Sequence, residues 1–106
     1  LGFLAVALGA FGAHALKGTL QTNATTAVWE TAVLYHFIHA VVLLVLATQP
    51  GASRAISSLF VAGIVLFSGS LYLLALTNVK WIGAITPLGG LCFLAGWLCL
   101  VIWPSR

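Results

Sequence analysis

Only five of the 106 side chains carry a formal charge, at Lys17, Glu30, Arg54, Lys80 and Arg106. Each of the three stretches between Glu30 and Arg106 runs uncharged for longer than the ~20 residues an α-helix needs to cross a ~30 Å hydrocarbon core. Charged residues make up 5% of the chain and hydrophobic ones 62%, where soluble domains average about 25% charged. A soluble fold of this size buries only about 60–65% of the surface its unfolded chain exposes. That is too little to hide so much apolar side chain, and lipid removes the difficulty. The spans read as helices, because an open sheet leaves its edge groups unsatisfied in lipid and runs of helix length do not resemble barrel strands.

The sequence therefore predicts an all-α integral membrane protein, a bundle of four transmembrane helices in one domain covering residues 1–106. The helices are expected over about 1–16, 28–48, 54–76 and 87–103. The first is expected to stop at Lys17-Gly18 and is short for a span, at about 24 Å. It reads as a membrane helix cut short at its front, so residues are expected ahead of Leu1. Ala13-His14-Ala15 resembles a signal-peptide cleavage site, but the membrane-helix reading is preferred.

Residues 18–28 are the most polar stretch, with Thr25 or Thr26 placed to cap the second helix. Asn23-Ala24-Thr25 fits a glycosylation sequon, a match too short to imply modification. Gln49-Pro50-Gly51 ends the second helix, and Ser53 is placed to cap the third. Thr77 to Lys80 reads as a turn, and 81–86 as a short interfacial segment. Pro87 is tolerated at a first helical position with Thr86 as its cap. Trp29, Trp81 and Trp103 fall near helix ends, where aromatic belts lie.

Four spans put both termini and the 49–53 loop on one membrane side, and the 17–28 and 77–86 loops on the other. Arg54 and Arg106 balance Lys17 and Lys80 across those sides, so the charge bias leaves orientation undecided. The net charge of +3 is too scattered to form a nucleic-acid surface. The bilayer itself is the expected partner, with other membrane subunits as candidates.

Lipid removes the hydrophobic drive between helices, so small residues that let backbones approach matter more. Gly89, Cys92, Gly96 and Cys99 share one face of the fourth helix. Ala5, Gly9 and Ala13 share one on the first, with Gly12 beside them, and Gly63 and Ser70 lie seven apart on the third. Gly9, Gly12, Gly89 and Gly96 are the packing positions this pattern selects. Cys92 and Cys99, about 10 Å apart along a helix, are beyond disulfide reach and read as small packing residues.

His39 falls near the middle of the second helix, with Tyr35 and His36 at helical spacing on roughly one face. Ionisable residues at that depth face the bundle interior and have partners. Ser68, Ser70, Tyr72 and Thr86 are the candidate partners, and His14 is the third histidine. Haem ligation by His14 with His36 is possible in depth only with some stretch, and His14 with His39 fits poorly. A zinc or copper site from His36, His39 and a cysteine needs three converging ligands. Neither is preferred, so no cofactor or metal site is predicted. Glu30, the only acid, sits in the first turn of its helix, where it complements the dipole and can pair with Lys17 or Lys80. A cation-coupling glutamate would lie deeper. No nucleophile–base set, phosphate loop or carboxylate pair is visible, so no catalytic residue is assigned.

Four strings carry a resemblance. They are Gly9-Ala10-Phe11-Gly12-Ala13-His14-Ala15-Leu16, Tyr35 with His39-Ala40, Phe67-Ser68-Gly69-Ser70-Leu71-Tyr72-Leu73-Leu74-Ala75-Leu76, and Gly83-Ala84-Ile85-Thr86-Pro87-Leu88-Gly89-Gly90 with Gly96-Trp97 after it. In that order they resemble the YgdD/YwdK-like bacterial inner-membrane family, domain of unknown function 423, over nearly the whole chain. The resemblance implies four helices and a bacterial inner-membrane location, or a mitochondrial membrane for a eukaryotic relative. It implies no mechanism. The positions matching its motifs are His14, Tyr35, His39, Ser68, Ser70, Tyr72, Thr86 and Pro87, whereas Glu30 and His36 fall between the strings.

These residues leave three readings. The preferred one is a non-catalytic accessory or scaffold subunit of a larger membrane complex. The alternatives are a small oligomeric transporter or channel, using His39, Tyr35, His14, Ser68, Ser70 and Tyr72 as a polar face, and a haem or metal carrier.

Overall fold

The computed structural model describes residues 2–49, 51 and 54–102. Among these every regular element is helical. Helix α1 covers Gly2–Ala13, α2 Lys17–Thr22 and α3 Thr26–Ala47. Helix α4 runs Arg54–Thr77 and contains a π-helical segment, Ile64–Ser68. A 3₁₀ turn, Lys80–Ala84, leads into α5, Thr86–Ile102.

Three helical stretches are long and apolar enough to cross a membrane: Thr26–Ala47, Arg54–Thr77 and Lys80–Ile102. At 22, 24 and 23 residues they reach about 33–36 Å. The 12 residues of α1 reach only about 18 Å, so of the four spans expected three are present at full length, and α1 is a shorter apolar helix. The described helices occupy 48 × 26 × 15 Å between Cα atoms. The smallest extent is that of two helix layers, given ~8–10 Å between axes. Helix α1 lies against α3, α3 against α4, and α5 along α4.

Several boundaries differ from expectation. Helix α1 stops at Ala13, and a wide turn follows in which the Leu16 N–H donates to the Phe11 carbonyl at 2.8 Å. Lys17 therefore opens a helix instead of closing one. The polar stretch expected as a loop holds α2, anchored by Leu20, which is buried in a cluster with Trp29 and Ala75. The segment 81–86 is largely the 3₁₀ turn, and Thr86 belongs to α5, with Pro87 still in its first turn. The expected cap Ser53 and the belt residue Trp103 lie outside the described residues. Trp81 is 70% exposed, as a belt residue is, but Trp29 is 3% exposed and belongs to the core. Its indole N–H donates to the Leu8 carbonyl at 2.9 Å, which ties α3 to α1.

Thr25 occupies the N-cap position of α3 without a side-chain cap bond. Its hydroxyl donates instead to the Ala75 carbonyl at 2.7 Å. The Asn23 amide donates to the same carbonyl at 3.0 Å and to the Leu76 carbonyl at 3.2 Å. Both acceptors lie in the last turn of α4, where backbone carbonyls lack intrahelical donors. The sequon-like triplet is thus a cap delivered from another helix, and it fixes the α2–α3 turn level with the end of α4. Asn78 completes that end in the left-handed conformation, φ 57°, with its N–H on the Leu74 carbonyl at 2.7 Å. Asparagine tolerates that conformation better than most residues.

Helices α4 and α5 cross most closely at the π segment. A Cβ on Gly89 would overlap the backbone nitrogen and Cα of Phe67. Further along the same crossing, a Cβ on Gly96 would lie 2.9 Å from the Phe60 ring. A Cβ on Gly12 would overlap the Trp29 indole, and one on Gly9 would lie 3.3 Å from Val33. The small residues are therefore where helices of this same chain meet. A second core cluster gathers Leu46, Ile56, Phe60, Ile64 and Phe93, with Cys99 packed against it.

Candidate functional site

The polar residues selected from the sequence separate into three hydrogen-bonded groups and one outlier. The most completely defined is at His39, which is 4% exposed. The Trp97 indole N–H donates to His39 Nε2 at 3.0 Å. An indole nitrogen can only donate, so Nε2 must accept. The ring is then the neutral Nδ1–H tautomer, and Nδ1 donates to the Tyr35 carbonyl at 2.7 Å. Both ring nitrogens are used. The ring is packed as well: Phe93 stacks on one face of the imidazole at 3.7 Å between centroids and 11° between planes, and Phe60, tilted, and Trp97, edge-on, approach at 5.6 and 5.9 Å. Solid-state ¹⁵N NMR on selectively labelled protein should show His39 protonated at Nδ1 and bare at Nε2. A protonated Nε2 would contradict the Trp97 bond.

His36, three residues earlier, turns to a different neighbour. Its Nδ1 lies 2.9 Å from the Tyr72 hydroxyl, which links α3 to α4. Tyr72 in turn lies against Trp29, at 4.7 Å between ring centroids. The expected common face of Tyr35, His36 and His39 thus divides: His39 serves the α5 side and His36 the α4 side. Tyr35 sits against Phe67 at 4.7 Å and is 39% exposed.

The third group follows from the π segment. The Ser68 hydroxyl, fully buried, donates to the Ala32 carbonyl of α3 at 2.8 Å. The Ser70 hydroxyl donates to the Phe67 carbonyl at 2.9 Å and lies 2.6 Å from Thr86 Oγ1. With its hydroxyl proton on Phe67, Ser70 accepts from Thr86. A π turn shifts the backbone register, and serine side chains re-satisfy carbonyls in such turns. Here the same residues join α4 to α3 on one side and to α5 on the other.

His14 stands apart. It is exposed in the turn after α1 and is not brought to the other polar residues. Among the described residues, no three of His, Cys, Asp and Glu converge on a metal-sized site. A metal at His39 would first have to displace the Trp97 N–H. Cys92 and Cys99 are free thiols, partly buried. Glu30 and Lys17 are exposed and line one groove between α1, α2 and α3.

Two members of the His39 site, Phe93 and Trp97, were not selected from the sequence as functional positions. Trp97 falls in one of the strings that carry the resemblance, and the remaining signal is the spacing of four that puts Phe93 and Trp97 on one face of α5. Thr25 is expected as a cap of its own helix, but nothing in the sequence directs its hydroxyl, or the Asn23 amide, to the end of α4.

No solved structure matches this chain. Sequence comparison does find relatives. UPF0382 membrane protein YwdK of Bacillus subtilis is 48% identical over 105 residues, covering 93% of this chain and 85% of that protein. UPF0382 membrane protein SH2409 of Staphylococcus haemolyticus is 46% identical over 103 residues, covering 93% and 84%. UPF0382 inner membrane protein YgdD of Escherichia coli K12 is 44% identical over 111 residues, covering 99% and 83%. The family profile described as protein of unknown function (DUF423) matches residues 8–90, a range that holds the His36–Tyr72, Ser68–Ala32 and Ser70–Thr86 pairs. The resemblance expected from the sequence motifs is borne out, and with it the inner-membrane location: this chain is a membrane protein of the DUF423 family.

Proposed function

We propose that this protein is a non-catalytic component of the inner membrane, an accessory or scaffold subunit that a larger membrane complex holds at its lipid-facing sides. In this reading it crosses the bilayer four times, with α1 as the first span, acts without a cofactor, and performs no reaction. The observation that carries the proposal is His39. The polar side chain best placed to move a proton or an ion has both nitrogens hydrogen-bonded within the bundle and its ring buried against Phe93. Ser68, Ser70 and Thr86 are committed in the same way. A transport path needs polar groups that exchange partners, and these hold helices together instead. Supporting the fourth span, α1 is fastened along α3 by the Trp29–Leu8 bond.

Because the small residues lie at internal crossings, a partner must be met by larger apolar side chains. Helix α3 offers Leu34, Ile38, Val41 and Val45, all more than 40% exposed. Native mass spectrometry of the protein, extracted under mild detergent from its own membrane, is expected to show it within an assembly containing other subunits. A lone monomer or homo-oligomer would overturn the proposal.

A further inference from the structure

A groove of about 480 Å³ opens between α1, α2 and α3, within the size range of small-ligand sites. Gly9, Gly12 and Ala13 line its α1 side. Along α3 it is lined by apolar Val33, Leu34 and Phe37. Its mouth, the end at α2 and the first turns of α3, is polar: Lys17, Gln21 and Glu30 stand there, all exposed. The Asn23 bonds hold the α2–α3 turn level with the end of α4, close in sequence to exposed Lys80 and Trp81. Charged residues and an exposed tryptophan mark the headgroup level of a bilayer. The groove is therefore apolar where acyl chains lie and charged where headgroups lie.

The charges at the mouth select among headgroups. Glu30 is the only acid in the chain, and it shares the mouth with a lysine. A purely anionic headgroup gains from Lys17 but is repelled by Glu30. A trimethylammonium headgroup offers Glu30 a charge without an N–H. A headgroup with a phosphate and a primary ammonium satisfies both, because each contact becomes a charge-assisted hydrogen bond. We infer that this groove is a binding site for one amine-bearing phospholipid, its phosphate on Lys17, its ammonium on Glu30 and an acyl chain along Val33 and Phe37.

The test uses purified full chain in mixed micelles containing phosphatidylethanolamine, phosphatidylcholine and phosphatidylglycerol with matched acyl chains in equal amounts. Native mass spectrometry counts the lipids retained on the protein. Phosphatidylethanolamine is expected to be retained roughly two- to fivefold over each of the others, the range that exposed ion pairs support. Glu30→Gln should abolish the preference over phosphatidylglycerol. Lys17→Gln should weaken all three lipids alike. Ala13→Trp, at an exposed position lining the groove, should fill it and remove the tightly held lipid. Equal retention of the three lipids by the unsubstituted chain overturns the inference, as does a preference that survives Glu30→Gln. Lipid retention is read on the isolated chain, so the outcome is independent of whether partner subunits exist.

Discussion

Gly89→Ala should destabilise this protein by about 3 kcal/mol, at or above the upper end for overpacking a close-packed contact, while Gly90→Ala should be neutral or stabilising by up to about 1 kcal/mol through helix propensity. The two glycines are adjacent, so composition and depth are the same. They differ in what a methyl group meets. At Gly89 it meets the backbone nitrogen and Cα of Phe67, and at Gly90 only the Phe67 ring, with Cδ2 at 3.9 Å in ordinary van der Waals contact. A ring can swing aside, but backbone inside the π segment cannot move without shifting α4. That shift would also disturb the Ser68 hydroxyl on Ala32 and the Ser70 hydroxyl on the Phe67 carbonyl. Reversible unfolding in mixed detergent micelles gives both values. Equal effects at 89 and 90 would mean that α4 and α5 do not cross at this distance.

The asymmetry between those glycines shows what a single sequence conveys and what it withholds. The small-residue spacing of 89, 92, 96 and 99 shows that α5 has a packing face. It does not show that Gly89 meets a backbone, because that depends on the π turn at Ile64–Ser68 in another helix. A π turn has no residue signature of its own: the extra residue is inserted where tertiary packing favours it. Helix existence was legible for the opposite reason. Span length is set by bilayer thickness, and Gln49, Gly51, Thr77 and Asn78 mark where α3 and α4 end. Helix α2 was hidden because its polar residues are those of loops, and only the burial of Leu20 makes it a helix. Trp29 was misread as an interfacial anchor because position along a helix gives depth but not facing. Its partner, the Leu8 carbonyl, leaves no trace in side-chain identity.

Facing also separates the histidines. Residues three apart on a helix are neighbours, which suggested one shared polar face. They are still rotated by about 60° from each other, given 3.6 residues per turn. In a layer where α4 and α5 lie side by side, that rotation is enough to send His36 to Tyr72 and His39 to Trp97. The residues were legible as partnered, but which helix held the partner was not.

The His39 cluster yields the second large effect. His39→Ala is expected to cost about 2–4 kcal/mol, as other large-to-small core changes do, because Phe93, Phe60 and Trp97 all lose the ring they pack on. Trp97→Phe keeps a six-membered ring and removes the N–H together with part of the indole. Loss of the bond itself should account for about 1 kcal/mol of the cost, since hydrogen bonds between membrane helices average near 0.6 and reach about 1.7 in double-mutant cycles. The two changes share one bond, so the hydrogen-bond part of the Trp97→Phe cost should vanish when His39 is already alanine. Strict additivity would mean that the Trp97 N–H contributes nothing through His39. The sign of the first effect matters more than its size. If His39→Ala leaves stability unchanged or raises it, the imidazole is not held in place for the fold. A buried polar ring kept at no benefit to stability has to be explained by work it does, and proteoliposome flux with and without His39 would then become the decisive measurement, because the transporter reading would displace the scaffold one.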